Sequence, residues 1–229
     1  MTYLAVFDWN GTLLNDMVAT HIATNASLAF FGRAPITREE EQEHFTFPLI
    51  HFYEKMGVSV DAYLEHAEEV GNLFNKIYTA ESAKCGLRAG AIELLEWLKG
   101  NGVVCTILSN HRDNLLNADV ARLGIAHYFD QISGNADPAT IVQGLSKQVR
   151  LEAYLKTKGL AANRAFIIGD SHEEPELAHR LGLTGISISG GLMSEARLAR
   201  AGADFRVDHM AEVRPIVEKL WFSNDNDAT

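Results

Sequence analysis

Only two cysteines, Cys85 and Cys105, occur in 229 residues, and neither stands in a CxxC or other metal-ligand spacing. Nothing in that spacing points to a disulfide framework or a cysteine-ligated metal site, and both thiols are expected to be buried and reduced. Basic residues are also short: 20 Lys and Arg face 30 Asp and Glu, for a formal charge of −10, and no basic run occurs anywhere. A nucleic-acid backbone is bound by a clustered cationic face, so no nucleic-acid partner is expected. No apolar run approaches the roughly 20 residues that span a bilayer. The chain opens on a strand-like segment at Tyr3 with no basic-then-apolar leader, so no membrane association and a cytoplasmic location are expected. Repeats and low-complexity tracts are likewise missing.

What is present suits a folded enzyme-sized domain. Apolar residues make up 47% of the chain and charged residues 22%, enough to build one large core, with or without an inserted module. Short apolar, β-branched runs recur at residues 3–7, 103–108, 165–168 and 185–188, with weaker ones at 129–133 and 204–207. Helical pattern separates most of them. Continuously apolar strands alternating with helices predict an α/β fold, a Rossmann-like doubly wound parallel sheet covered on both faces.

Residues 16–84 break this alternation. Helical stretches are predicted at 18–31, 37–45, 48–56 and 61–79, and no strand is. Thr37-Arg38-Glu39-Glu40 fits a capping box, in which the hydroxyl and the carboxylate satisfy each other's backbone amides. So many helical residues exceed one crossover helix. The expected organisation is a core of residues 1–15 and 85–222, an inserted helical cap of residues 16–84, and a flexible polar tail of residues 223–229.

Ligands of open parallel sheets bind beyond the carboxyl ends of the strands. Four polar clusters fall there: Asp8-Trp9-Asn10-Gly11-Thr12, Ser109-Asn110-His111, Ser146-Lys147 before a helix, and Gly169-Asp170-Ser171 followed by Glu173 and Glu174. An Asp at one strand end is commonly only a helix cap. Four clusters in this order are more informative.

Together these segments resemble the haloacid dehalogenase superfamily of phosphohydrolases, in its phosphoglycolate-phosphatase-like branch, over nearly the whole chain. The opening segment resembles the DxDGT signature with Asn10 in place of the second Asp. Residues 107–110 resemble the second motif, Lys147 the third and residues 168–174 the acidic fourth. The resemblance implies a phosphatase acting on a small phosphorylated metabolite, with Mg2+ as cofactor and the oligomeric state left open. It implies Asp8 as nucleophile and Lys147 as the cation beside it. Ser109 and the amides of Asn110, Gly11 and Thr12 would cradle phosphoryl oxygens. Asp8, the backbone carbonyl of Asn10, Asp170 and Glu174 would hold the metal, with Glu173 as the alternative to Glu174. His111 is left outside the catalytic set.

Asn10 is the departure that matters. In relatives the second Asp protonates the leaving oxygen and then activates water, and an amide cannot exchange a proton in this way. Slow turnover is therefore expected. A substrate with a good leaving group, such as an acyl or aryl phosphate, would need little protonation. A cap histidine (His21, His44, His51 or His66) or a long-lived phospho-enzyme would also account for the change. The rival readings are a non-catalytic phosphate-ligand-binding protein on the same fold, a phosphonatase with a cap lysine (Lys55 or Lys76), and a metal-free dehalogenase. In the cap, Phe47 replaces a small residue of relatives, and Arg33 is a candidate to meet a carboxylate or second phosphate. Hinges are expected near residues 14–16 and 84–89.

Overall fold

The computed structural model describes residues 2–46, 48–135 and 146–222. The tail from residue 223 and Phe47 lie outside the described residues. Six strands form one parallel sheet in the order β3-β2-β1-β4-β5-β6. They are β1 (Leu4–Phe7), β2 (Val104–Arg112), β3 (Gln131–Asn135), β4 (Ala165–Gly169), β5 (Thr184–Ile188) and β6 (Phe205–Val207). The chain winds outward from β1 through β2 to β3, then crosses to β4 on the other side. The crevice between β1 and β4 is therefore the topological switch point of the sheet, where a ligand is expected.

Alternation along β1 shows why both faces are covered. Ala5 and Phe7 pack with Leu94, Leu95 and Leu98 of α6 (Ala91–Gly100) and with Val213 and Val217 of α11 (Val213–Val217). Leu4 and Val6 face the other way, onto Leu151 and Leu155 of α8 (Ser146–Lys158) and Leu177 of α9 (Glu173–Leu181). With a period of two, an unbroken apolar strand must bury both faces.

The cap residues form α1 (Met17–Phe30), α2 (Arg38–His44), α3 (Leu49–Lys55), α4 (Val60–Glu65) and α5 (Ala67–Ser82). The capping box forms: Thr37 Oγ1 accepts from the Glu40 amide at 3.2 Å and Glu40 Oε2 from the Thr37 amide at 2.7 Å. The single helix expected over residues 61–79 is instead two, broken at His66, whose φ of −115° leaves the helical range. Glu68 and Glu69 then enrich the new N-terminus with negative charge, the sign a helix dipole favours there. Leu28, Phe52 and Val70 give the cap its own core.

The two crossings between cap and core hydrogen-bond to each other. Asn15 donates to the Gly86 carbonyl at 2.9 Å, and Arg88 donates to that of Leu13 at 2.9 Å. Cys105 is buried as expected, whereas Cys85 is only half-buried. No helix among the described residues is long and apolar enough to cross a membrane.

Candidate active site

Asp8 is the first residue beyond β1, and its amide donates to the Ile168 carbonyl of β4 at 3.0 Å. Asp170 is the first residue beyond β4. The two carboxyls thus flank the switch point. They line a cavity of about 220 Å3 with Asn10, Ser109, Asn110 and Lys147. Lys147, near the start of α8, is 8% exposed. Its Nζ lies 2.8 Å from Asp8 Oδ1, 2.6 Å from Glu174 Oε1 and 3.3 Å from Glu173 Oε2. A surface lysine at a helix start would show none of this.

The local turn explains the loop after β1. The Trp9 carbonyl accepts the amides of Thr12, Leu13 and Leu14. Gly11 sits at φ +68°, and a Cβ there would strike Asp170 Oδ2. Only glycine fits both demands. The Gly11 amide donates to Asp16 Oδ1 at 2.8 Å, and the Thr12 hydroxyl to Asp170 Oδ1 at 3.4 Å. The Gly11 and Thr12 amides expected to cradle phosphoryl oxygens are thus engaged within the loop, one by a carboxylate and the other by the turn. Neither residue is among the described residues lining the cavity, whereas Ser109 and Asn110 both are. Strand β2 runs past its expected end to Arg112, with a register shift between Leu108 and Arg112, and this places Ser109 and Asn110 at the cavity.

The fourth motif divides its acids between two tasks. Glu174 is buried; it accepts from Lys147 Nζ and from Ser171 Oγ at 2.8 Å. A side chain on Gly169 would collide with it, so the glycine makes that position possible. Glu173 accepts from Asn110 Nδ2 at 2.9 Å. Among the described residues no three acidic side chains converge as a ready set of metal ligands. Glu174, expected at the metal, is held by Lys147 and Ser171, and Asp8 and Asp170 lie on either side of the crevice.

Charge is unevenly compensated. Burial raises the Asp8 carboxyl to about 7, with Lys147 pulling it down and Glu174 pushing it up. Asp170 is raised well above the carboxylate range by burial and then by the charges of Asp8 and Glu174, and the Leu192 amide on its Oδ2 offsets this only in part. Burial also raises Glu174, yet Lys147 outweighs it and the group stays below its ordinary value. Lys147 itself is opposed by burial but held above the usual lysine range by its acidic neighbours. Buried like charges with too little positive charge between them are what a hard, oxygen-seeking cation relieves.

Two residues at this site were not expected from the sequence. Asp16 is fully buried. It stands at the N-cap of α1, yet its carboxylate makes no bond to that helix. It accepts instead from Gly11, from Asn10 Nδ2 at 2.7 Å and from the hydroxyl of Tyr78 at 2.6 Å. Asn10 Nδ2 also donates to Tyr78 Oη at 2.6 Å. Asp16 is raised by burial, which its three donors counter.

None of the four cap histidines is among the described lining residues, whereas His111 is. Burial lowers His111 and favours its neutral form. Lys55 and Lys76 are exposed and also do not line the cavity. Arg33 donates to the Met56 carbonyl at 3.1 Å and is not among the described lining residues.

The family model for haloacid dehalogenase-like hydrolases matches residues 5–188. Phosphoglycolate phosphatase 1 of Pseudomonas aeruginosa is 23% identical over 220 residues, covering 94% of this chain and 80% of that protein. The phosphoglycolate phosphatase of Synechococcus elongatus is 20% identical over 94% of this chain and 97% of its own length. Among solved structures, a haloacid dehalogenase-like hydrolase from Streptococcus pneumoniae superposes with a TM-score of 0.77 at 22% identity, covering 94% of this chain and 98% of its own. A second, from Deinococcus radiodurans, gives 0.71 at 20% identity over 96% of both chains. With the matched segment running from β1 through β5, the chain belongs to the haloacid dehalogenase-like hydrolase family.

Proposed function

We propose that this chain is a phosphatase for a small phosphorylated molecule, with Asp8 as nucleophile and Mg2+ as cofactor. Family membership and the phosphoglycolate phosphatases among its relatives support the reaction class. The observation that carries the residue roles is the pair of buried carboxyls, Asp8 and Asp170, facing one cavity with Lys147 on the first. The donor set fits Mg2+, since the available atoms are carboxylate and carbonyl oxygens and the two acids lack a shared cation. Asp8, Asp170 and the Asn10 carbonyl are the residues to hold it, with Glu174 fixing Lys147 behind them. Bound there, the metal would offset phosphoryl charge.

An Asp8 carboxylate oxygen attacks phosphorus, and the bond from phosphorus to the ester oxygen breaks, the electron pair leaving with that oxygen. Lys147 orients Asp8 and balances charge on the phosphoryl group. Ser109 and Asn110 line the same cavity and are the residues to contact the remaining phosphoryl oxygens. Water then attacks phosphorus, the bond from phosphorus to the Asp8 oxygen breaks with its electron pair returning to the carboxylate, and the proton of the attacking water passes to solvent as inorganic phosphate leaves. Asn10 supplies no proton for either step, and general acid–base assistance is typically worth about 10²–10⁴-fold, so turnover is slow. The free thiols Cys85 and Cys105 suit a reducing cytoplasm.

The experiment is to incubate the protein with Mg2+ and acetyl phosphate and to look for one added phosphoryl group by intact mass. Asp8→Asn should remove both the adduct and turnover. An adduct that survives Asp8→Asn would assign the nucleophile elsewhere.

A further inference from the structure

We propose that the substrate is a phosphate monoester of an uncharged, flat, phenol-like alcohol, an inference that rests on the phosphatase reading above. The cavity has two walls. The core wall carries the charged groups. The described cap wall consists of Met17, Thr20, Phe45, Phe74, Asn75 and Tyr78, none of them ionised at neutral pH. The group that leaves with the ester oxygen must lie against this second wall.

The wall disfavours a second charge on the substrate. Lys147 is the one cationic side chain among the described lining residues, and three carboxylates already hold it. Every Lys and Arg of the sequence lies within the described residues. Three nearby arginines are committed to backbone carbonyls: Arg38 to Gly191 at 2.6 Å, Arg88 to Gly11 and Ser189 at 2.8 and 2.7 Å, and Arg150 to Ser109 at 2.9 Å; Arg112, beside His111, is exposed and does not line the cavity. A substrate carboxylate would lose its hydration there without gaining a counter-charge. Phosphoglycolate, named for the relatives, fits this wall poorly.

The same wall favours a ring. Phe74 and Tyr78 stack with centroids 5.8 Å apart and planes 7° from parallel, and His111 meets Tyr78 edge-on at 5.8 Å. The Tyr78 hydroxyl is used in both directions, accepting from Asn10 and donating to Asp16, so Tyr78 offers mainly its ring. Aromatic edges and faces recognise another flat ring. A polyhydroxylated sugar would find few polar partners beyond Thr20 and Asn75.

Proton handling selects the same class independently. Asn10 holds no transferable proton, and its amide is fixed to Asp16 and Tyr78. A phenol titrates near 10 and water near 15.7, so a phenolate leaves unprotonated far more readily than an alkoxide. An enzyme without the usual acid is least handicapped on such a substrate.

The test uses the full-length protein with Mg2+ and three probes: phenyl phosphate, cyclohexyl phosphate and phosphoglycolate, each followed in turnover and by calorimetric binding. Phenyl phosphate should bind about tenfold more tightly than phosphoglycolate, a difference of about 1.4 kcal/mol. It should turn over about 10²-fold faster than cyclohexyl phosphate, the lower end of what a missing general acid costs. Phe74→Leu should weaken phenyl phosphate about threefold more than phosphoglycolate. Asn75→Lys should strengthen phosphoglycolate about tenfold by supplying the absent cation.

Tighter binding of phosphoglycolate than of phenyl phosphate overturns the inference, as does equal turnover of the phenyl and cyclohexyl esters. Binding of none of the three also overturns it. Preferential binding of phenyl phosphate without any turnover supports the ligand class and removes the phosphatase reading instead.

Discussion

Asn10 Nδ2 lies 2.7 Å from Asp16 Oδ2, so the residue that replaces the family's second acid is hydrogen-bonded to a different buried acid. The amide matches Asp16 in a way a carboxylate cannot, because an ionised carboxylate has no hydrogen to donate. Asn10→Asp by itself would set two carboxyls at contact distance, and both cannot ionise. The new acid's folded pKa would lie above its unfolded value. Its penalty is therefore absent below about pH 4 and grows as pH rises through the folded value. Denaturation of Asn10→Asp should show a loss of about 2–4 kcal/mol at pH 8 and much less at pH 5. The exchange Asn10→Asp with Asp16→Asn keeps one acid and one amide, and it should recover most of that stability. The introduced carboxyl would then be relieved of Asp16 as a contacting like charge and should raise turnover by about 10²-fold. A double variant as unstable as the single one would disprove the pairing.

The metal-free protein should be less stable at high pH. Asp8 and Asp170 are both raised by burial, Asp8 to about 7. A carboxyl with a raised folded pKa contributes most below its unfolded value, near 4, and that contribution is lost as pH climbs through the folded one. Glu174 is lowered, so its contribution disappears only in more acid solution. In EDTA the melting temperature should therefore fall between about pH 5 and pH 8, and Mg2+ should restore more of it at pH 8 than at pH 5. An Mg2+ effect that is equal at both values would argue against these acids as the ligands.

The cap also reaches Asp170 through the backbone. Arg38 and Gln42 of α2 donate to the Gly191 carbonyl at 2.6 and 2.8 Å, and the next amide, that of Leu192, donates to Asp170 Oδ2 at 2.6 Å. Gln42→Ala removes one donor to a carbonyl that keeps another, and should cost about 1 kcal/mol. Arg38→Ala also deprives the fully buried Glu41 of its 2.7 Å partner, leaving only His21. Its cost should approach about 3 kcal/mol, the lower range for breaking a buried ion pair. Both variants should weaken Mg2+ binding, which calorimetry measures. Unchanged affinity in both would show that Asp170 is held without the cap.

The sheet was legible wherever a strand is central. β1 and β4 are apolar throughout and β2 and β5 mainly apolar where they are buried, because both faces are covered, whereas β3 and β6 lie at the sheet edges and give weaker signals. The cap helices were legible as helices, but the break at His66 was not, since nothing in the spacing marks a change of direction. Asp8, Lys147 and Asp170, each weak by itself, stand out in the sequence through the order of the four clusters and the family resemblance those clusters carry. Asp16 and Tyr78 were not, being 62 residues apart and each having an ordinary local explanation, a helix N-cap and a buried helix position. The Gly11 and Thr12 amides are expected at the phosphoryl group only through the family resemblance, which says nothing of the loop's own hydrogen bonds. Here Asp16 and the Trp9 carbonyl take those amides first.

Lys147 gives the most direct check on the site's electrostatics. Its ammonium touches Asp8, Glu174 and Glu173, and Asp8 and Glu174 are buried with it. Lys147→Met keeps the bulk of the side chain and removes the charge, leaving carboxylates that must either repel or take up protons. Breaking a buried ion pair from one side typically costs about 3–5 kcal/mol. Urea denaturation at pH 8 without metal should show a loss of that size. The loss should shrink toward pH 4, where the acids protonate and no longer need the cation. Lys156 is exposed on the same helix, and Lys156→Met should stay within about 0.5 kcal/mol of the wild type. Equal effects of the two substitutions would reduce Lys147 to a surface lysine and remove the cation from the proposed site.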